Sequence, residues 1–331
     1  MNIALPVKIA GVGRYLPERI VPSCEIDLRC GLPPGSIERH SGVRERRWAD
    51  GETSTYMGAQ AATEALANAG LKLSDIELIV NASGTPEQAI PDNAPLIQRH
   101  LGLGESGIPC LSIHATCLSF IAALDLSASL LAAGRYQRIL IVSSDIGSVG
   151  INFAEPESAA LIGDAAAAVV VVNTPTGEAS RIQAIHLETY GEGAYLTTIN
   201  GGGSRRSPND PATRPEDNLF HMEGPQLLRL GRRRLGPFLE RLRPGLSGSL
   251  GGIQWVIPHQ PSHLGLRTLR HFGWPEARVI RTLDWLGNCI AASIPVTLYE
   301  AICQGCMQRG DEVLLLGTGA GFSMGGVILI Y

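Results

Sequence analysis

SIHATCLSFIAALDLSASLLAAGRYQRILIVSSD at residues 112–145 and LDWLGNCIAASIPVTLYEAICQGCMQRGDEVLLLGTG at residues 283–319 share one order of parts. Each runs from a polar turn through an apolar, small-residue helix into an apolar strand. The likeness extends upstream. IELIVNASGTP (76–86) and GIQWVIPHQPS (252–262) are both strands entering polar turns, each followed by a helical stretch ending at His100 and Leu101 or at His271 and Phe272. Each half also closes on a strand, DAAAAVVVV (164–172) or GGVILI (325–330). Self-similarity at this scale implies two related α/β units. Strands that are apolar without alternation are expected where helices cover both faces of a sheet. The helices after Cys117 and Asn288 are apolar nearly all round, which places them between two sheets. The expected fold is therefore α/β, a five-layered αβαβα stack of two duplicated halves. Pro175 and Gly177 in VVNTPTGEAS mark the join, giving halves 1–177 and 178–331.

The chain has 331 residues, 44% of them hydrophobic and 18% charged, enough apolar material for two packed cores. A net charge of −4 supplies no concentrated basic face, so nucleic acid is not an expected partner. The opening MNIALPVKIAGVGRYLP is broken by Pro6, Gly11 and Gly13 and reads as a first strand, not a signal peptide. No apolar run reaches the roughly 20 residues of a membrane span. A cytoplasmic protein is expected. Seven cysteines, an odd number, fit free thiols in a reducing compartment.

Four places carry groups able to do chemistry. Cys117 sits between the strand PCLSI and the helix starting near Leu118. There the helix dipole and free backbone amides would favour a thiolate nucleophile. A single cysteine is more often a small core residue, but the second repeat also carries a polar group, in GNC, where its helix starts. His259 ends a buried strand, held by Pro258 and Pro261; it either meets a reacting carbonyl or bonds to backbone. His263 lies four residues on, yet Pro261 intervenes and no third ligand is evident, so no metal is expected. Asn288 offers an amide donor or a helix cap. The glycine-rich LLLGTGAGFSMGG (314–326) passes straight into a strand, which a dinucleotide loop does not do, and no cofactor is expected. It instead brings backbone amides close to a ligand oxygen. Cys303 and Cys306 read as core cysteines.

HATCLSF, PHQPS, GNCIAAS and GTGAGFSMGG, in this order and spacing, resemble the 3-oxoacyl-(acyl carrier protein) synthase III family of thiolase-fold condensing enzymes. GVRERRWADGETSTYMGAQAATEALANAGL and GDAAAAVVV extend the resemblance over nearly the whole chain. The resemblance implies a cytoplasmic homodimeric acyltransferase of the beta-ketoacyl synthase type, with a place in fatty acid biosynthesis or a related pathway. It makes Cys117 the acylated nucleophile, while His259 and Asn288 hold the carbonyl of a malonyl-acyl carrier protein extender during decarboxylation. The oxyanion at Cys117 would be held by backbone amides of Cys117 and the loop Gly319, Ala320, Gly321. The primer would arrive as an acyl-CoA or on a carrier protein. Ser36, His40, Ser262 and Leu264 stand where CoA-using members commonly carry Trp, Arg, Asn and Arg, so CoA is not expected to be held as in those members. Ile90, before Pro91, stands where short-chain members carry a Phe closing the partner's acyl channel. Arg229, Arg232 and Arg233 in LLRLGRRRLGPFLERLR are expected to dock an acidic carrier protein, or to form a solvated helix face. The loop 200–218 is a surface insertion or a cover over the acyl channel. The alternative activity is acyl transfer to a hydroxyl or amine without extension, which retention of Asn288 argues against. A thiolase would need a second catalytic Cys in the closing loop, and a silent partner subunit would not keep the Cys, His and Asn set.

Overall fold

The computed structural model describes residues 4–331, so Met1–Ile3 of the opening segment lie outside the described residues. The apolar runs pair into two sheets. The first contains β1 (Val7–Tyr15), β2 (Leu78–Asn81), β3 (Cys110–Ser112), β4 (Arg138–Asp145) and β5 (Ala165–Asn173), in the order β1-β5-β4-β2-β3. The second contains β6 (Arg181–Thr189), β7 (Trp255–Pro258), β8 (Glu312–Gly319) and β9 (Ser323–Ile330), in the order β6-β9-β8-β7. The two orders correspond strand for strand, with parallel and antiparallel pairings in the same places. What answers β3 in the second half is a single parallel bridge between Val256 and Val279. The chain passes from one sheet to the other between Asn173 and Arg181.

Three helical layers complete the stack. Helix α1 (Ser54–Ala69) covers the outer face of the first sheet, burying Met57, Ala61 and Ala65 against Leu140, Val142 and Val170. Helix α2 (Asn93–His100) joins it through Ile97. Close approach requires Gly11 and Gly13. A β-carbon at either would lie 2.3 Å from the Ala65 carbonyl oxygen or 2.2 Å from that of Ala61. The middle layer is α3 (Ser119–Ala132) and α6 (Ser293–Cys303), whose Phe120, Leu124, Ile294 and Leu298 share one core with residues of both sheets. Helix α4 (Gly224–Leu242) covers the second sheet's outer face with Phe238, Leu239 and Leu242 against Leu314, Met324 and Ile328. A short α5 (His263–Thr268) follows β7. No helix among the described residues is long and apolar enough to cross a membrane.

Candidate active site

Leaving β3, the chain enters a one-turn 3-10 segment, Thr116–Leu118, just before α3, with Thr116 in the left-handed region at φ 51°. The Ser119 hydroxyl locks this turn, accepting from the Ala115 amide at 3.0 Å and donating to the Thr116 carbonyl at 2.7 Å. The second half repeats the device at Ile290–Ala292, where Ile290 has φ 53° and Ser293 begins α6. Superposing the two turns puts Ala291, not Asn288, opposite Cys117. Asn288 lies two residues ahead of its turn, where the first half has His114. The polar group of GNC is thus a complement to the cysteine, not its repeat.

Cys117 keeps some exposed surface, yet its thiol is so enclosed that burial, with the nearby Asp145 carboxylate, pushes its pKa up to about 12. Two backbone amides, those of Ala320 and Cys117 itself, converge on the sulfur and pull the other way. Enclosure therefore opposes the thiolate that the helix start favours: helix-end effects reach only ~1 kcal/mol, less than the enclosure costs the anion. Asp145, at the end of β4, is fully buried and lifted by burial to about 6. It accepts from the Gly84 and Thr85 amides at 2.8 Å and from the Ala292 amide at 3.0 Å, so one carboxyl holds the starts of loops from both halves.

His259 follows β7, its amide bonded to the Leu316 carbonyl of β8 at 2.7 Å. The side chain is 3% exposed, burial lowers its pKa to about 4, and Nδ1 has no partner among the described residues. It is therefore a neutral imidazole. Gly317 separates it from the cysteine turn: a β-carbon there would lie 2.9 Å from Leu118 Cδ2 and 3.2 Å from His259 Cβ. His263 turns elsewhere, its Nδ1 accepting from Arg281 at 3.1 Å. Gln260, unremarked in the sequence reading, is fully buried. Its Oε1 accepts from the Thr282 and Leu283 amides at 3.2 Å, and its Nε2 donates to the Pro258 carbonyl at 2.9 Å and the Ile280 carbonyl at 3.3 Å.

Asn288 is fixed mainly by its backbone. Its amide donates to the Leu161 carbonyl at 2.6 Å and its carbonyl accepts from Gly163 at 3.1 Å. Arg46 and Trp48 hold the same strip through the Ala160 carbonyl at 2.6 Å and the Ile162 carbonyl at 3.1 Å. This explains the placing of GVRERRW, whose Arg46 is wholly buried. The Asn288 Oδ1 accepts from the Ile290 amide at 2.9 Å, a cap-type bond, while Nδ2 reaches the Pro261 carbonyl only at 3.5 Å. The amide donor is thus directed toward the His259 turn and weakly engaged there.

The comparisons with known proteins cover the same ground. The family described as 3-oxoacyl-[acyl-carrier-protein (ACP)] synthase III matches residues 111–191, and its C-terminal counterpart matches residues 248–331. A beta-ketoacyl-[acyl-carrier-protein] synthase III from Chlamydia caviae is 31% identical over 97% of this chain and 96% of its own length. The chain belongs to the 3-oxoacyl-[acyl-carrier-protein] synthase III family. A 3-oxopimeloyl-[acyl-carrier-protein] synthase from Brucella abortus is 32% identical over 97% of this chain and 98% of its own. The crystal structure of the Aquifex aeolicus 3-oxoacyl-[acyl-carrier-protein] synthase III superposes with a TM-score of 0.87 at 30% identity, covering 98% of this chain and all of that one.

Within this synthase III framework, β8 and β9 form a hairpin whose turn is Ala320–Phe322. Gly319 lies so close to the cysteine turn that a β-carbon would meet Thr116 Oγ1 at 2.9 Å, and Gly321 has φ 80°. Ser36 is buried, accepting from His40 through its carbonyl at 2.6 Å in a short helix, Ser36–Ser41. Ser262 caps α5 through the Gly265 amide at 3.1 Å, and Leu264 points out. Arg229 and Arg232 make no ion pair among the described residues, whereas Arg233 is taken up by Glu192 at 2.7 Å. Ile90 is 87% exposed and Pro91 is exposed beside it. Beside His259, between α4, α5 and the β8–β9 hairpin, lies a cavity of about 150 Å³. Of the segment 197–222, Met222 at the stem reaches this cavity while loop 200–218 does not line it.

Proposed function

We propose that this chain catalyses a decarboxylating Claisen condensation: it takes an acyl group from an acyl-CoA or acyl-carrier protein onto Cys117 and extends it with a malonyl-acyl carrier protein. Residues 1–177 act as the half carrying the nucleophile and 178–331 as the half carrying His259 and Asn288. The enclosed thiol loses its proton to the leaving thiolate as the primer arrives, and the backbone amides of Cys117 and Ala320 hold the tetrahedral oxyanion, with Gly319 and Gly321 shaping the loop. His259 and Asn288 then donate to the extender's thioester oxygen. Two uncharged donors suit an enolate that forms and disappears within one turnover. The carboxylate leaves as CO2, the enolate carbon attacks the Cys117 thioester, and the thiolate departs. Arg229 and Arg232 remain open to an acidic carrier protein. A homodimer joined along β3 would bring Ile90 and Pro91 to the partner's acyl channel.

The observation that carries this reading is a thiol faced by two backbone amides beside an imidazole that burial keeps neutral. The test is intact-mass spectrometry with acyl thioesters, paired with CO2 release from malonyl-carrier protein. Cys117→Ala abolishes the adduct. His259→Ala and Asn288→Ala keep it but slow CO2 release by about 100-fold or more, the scale of losing one oxyanion donor. Acyl passage to a hydroxyl or amine without CO2 release would identify the non-extending transferase instead.

A further inference from the structure

Asp145 ends β4, wholly buried, with donors on both of its oxygens. Oδ1 accepts from the Gly84 and Thr85 amides at 2.8 Å and from the Thr85 hydroxyl at 2.9 Å, and Oδ2 accepts from the Ala292 amide at 3.0 Å. Among short side chains only a carboxylate accepts on two atoms; an amide accepts on one and donates from the other. Each bond leads to a group of the site. Gly84 is wedged between the two matching turns: a β-carbon there would lie 3.2 Å from the carbonyl oxygen of Thr116, next to Cys117, and 2.5 Å from Ile290 Cγ2. Ala292 ends the second turn, whose Ile290 amide donates to Asn288 Oδ1 at 2.9 Å and so fixes which way the Asn288 Nδ2 faces. The nucleophile of one half and the amide donor of the other are thus tied to a single carboxylate.

We infer that Asp145 is a positioning residue for both half-reactions: it fixes the turn that carries Cys117 and the turn that orients Asn288, and it sets a negative charge near the nucleophile. The inference rests on the reading that Cys117 takes the acyl group and Asn288 holds the extender's carbonyl. Burial lifts Asp145 to about 6, and the bonds from Thr85, Ala292 and Gly84 keep it ionised at neutral pH. Two titratable groups feel this charge, Cys117 and Cys289 before the second turn. Burial raises both thiols, and the carboxylate adds to the rise, together with Asp164 at Cys289. A charge so placed leaves the neutral thiol and the neutral thioester undisturbed and disfavours only the free thiolate. When condensation expels the Cys117 sulfur, that sulfur takes a proton from solvent instead of returning to attack the new ketone.

The test is Asp145→Asn, read by iodoacetamide alkylation of Cys117 from pH 7 to 9.5 and by CO2 release from malonyl-carrier protein. The variant keeps an acceptor for Gly84 and Thr85 but turns N–H groups toward the Ala292 amide. Alkylation should run up to about tenfold faster than in the native enzyme, one pKa unit for the like charge removed, and should still climb through pH 9.5. CO2 release should fall at least about tenfold in kcat with KM for the extender within about twofold, since Asn288 is misaimed while no group that touches the extender is lost. Alkylation that levels off within this range would show an opened turn, reduce Asp145 to a structural tie and overturn the inference. Unchanged alkylation and CO2 release would overturn it as well. If the variant does not fold, Thr85→Val decides, because it keeps the charge and both backbone donors and removes one hydroxyl. The carboxylate then loses its charge at a higher pH, so alkylation should be about threefold faster at pH 7 and unchanged at pH 9. Native rates at both pH values would overturn the inference. Absence of CO2 release from the native enzyme would instead overturn the reading beneath it, a failure that leaves the alkylation result standing.

Discussion

At the scale of the residue, the chemistry of Cys117 is set by enclosure more than by its helix. A shift of three pKa units corresponds to about 4 kcal/mol against the anion, several times a helix-terminus effect. The sign follows: with the thiol near 12, the thiolate fraction at neutral pH is small and rises tenfold per unit of pH. Alkylation of resting Cys117 by iodoacetamide, followed by peptide mass spectrometry, should therefore climb steadily from pH 7 to 9.5 without a plateau. Exposed Cys24 serves as the accessible control in the same digest. A plateau for Cys117 below pH 8 would show the helix start prevailing. The residue type and its turn were legible in HATCLSF; the protonation state was not, because it depends on Asp145 and Ala320, which are distant in sequence.

At the scale of the element, the site is a set of turns pinned to one another by side chains that take no chemical part. Gln260 ties the end of β7 to residues 280–283, and so sets where the chain approaches Asn288. Replacing it with Leu leaves two buried amides and two carbonyls short of partners, a loss of about 3 kcal/mol by the usual cost of such groups. Urea unfolding should register this, with decarboxylation slowed more than acylation because Asn288 shifts and Cys117 does not. An unchanged midpoint would refute the clamp. Periodicity revealed the core strands because both their faces are covered. It passed over β6, RIQAIHLET, an edge strand that mixes buried and exposed positions and has no continuous apolar run.

At the scale of the whole molecule, β3 is an edge with one side unpaired, and Leu111 on it is 43% exposed. Together with the exposure of Ile90, this supports the homodimer proposed above. Light scattering at micromolar concentration should return twice the chain mass. If Ile90 closes the partner's channel, Ile90→Phe should reduce acylation by hexanoyl and octanoyl thioesters relative to acetyl, by about 0.8 kcal/mol per methylene excluded. An unchanged chain-length profile would free Ile90 of that role. By itself the sequence determined that the fold is duplicated and layered. Helix and strand periodicity and the order of parts are local properties, repeated in each half. It also picked out the Cys, His and Asn turns, since polar groups at the ends of buried elements stand out against apolar neighbours. Only the tertiary structure decided that Ala291 answers Cys117, that the thiol rests protonated and the imidazole neutral, and that a cavity opens beside His259. Those depend on which surfaces pack together and how much water they exclude, and solvation is a property of the assembled surroundings, not of the residue.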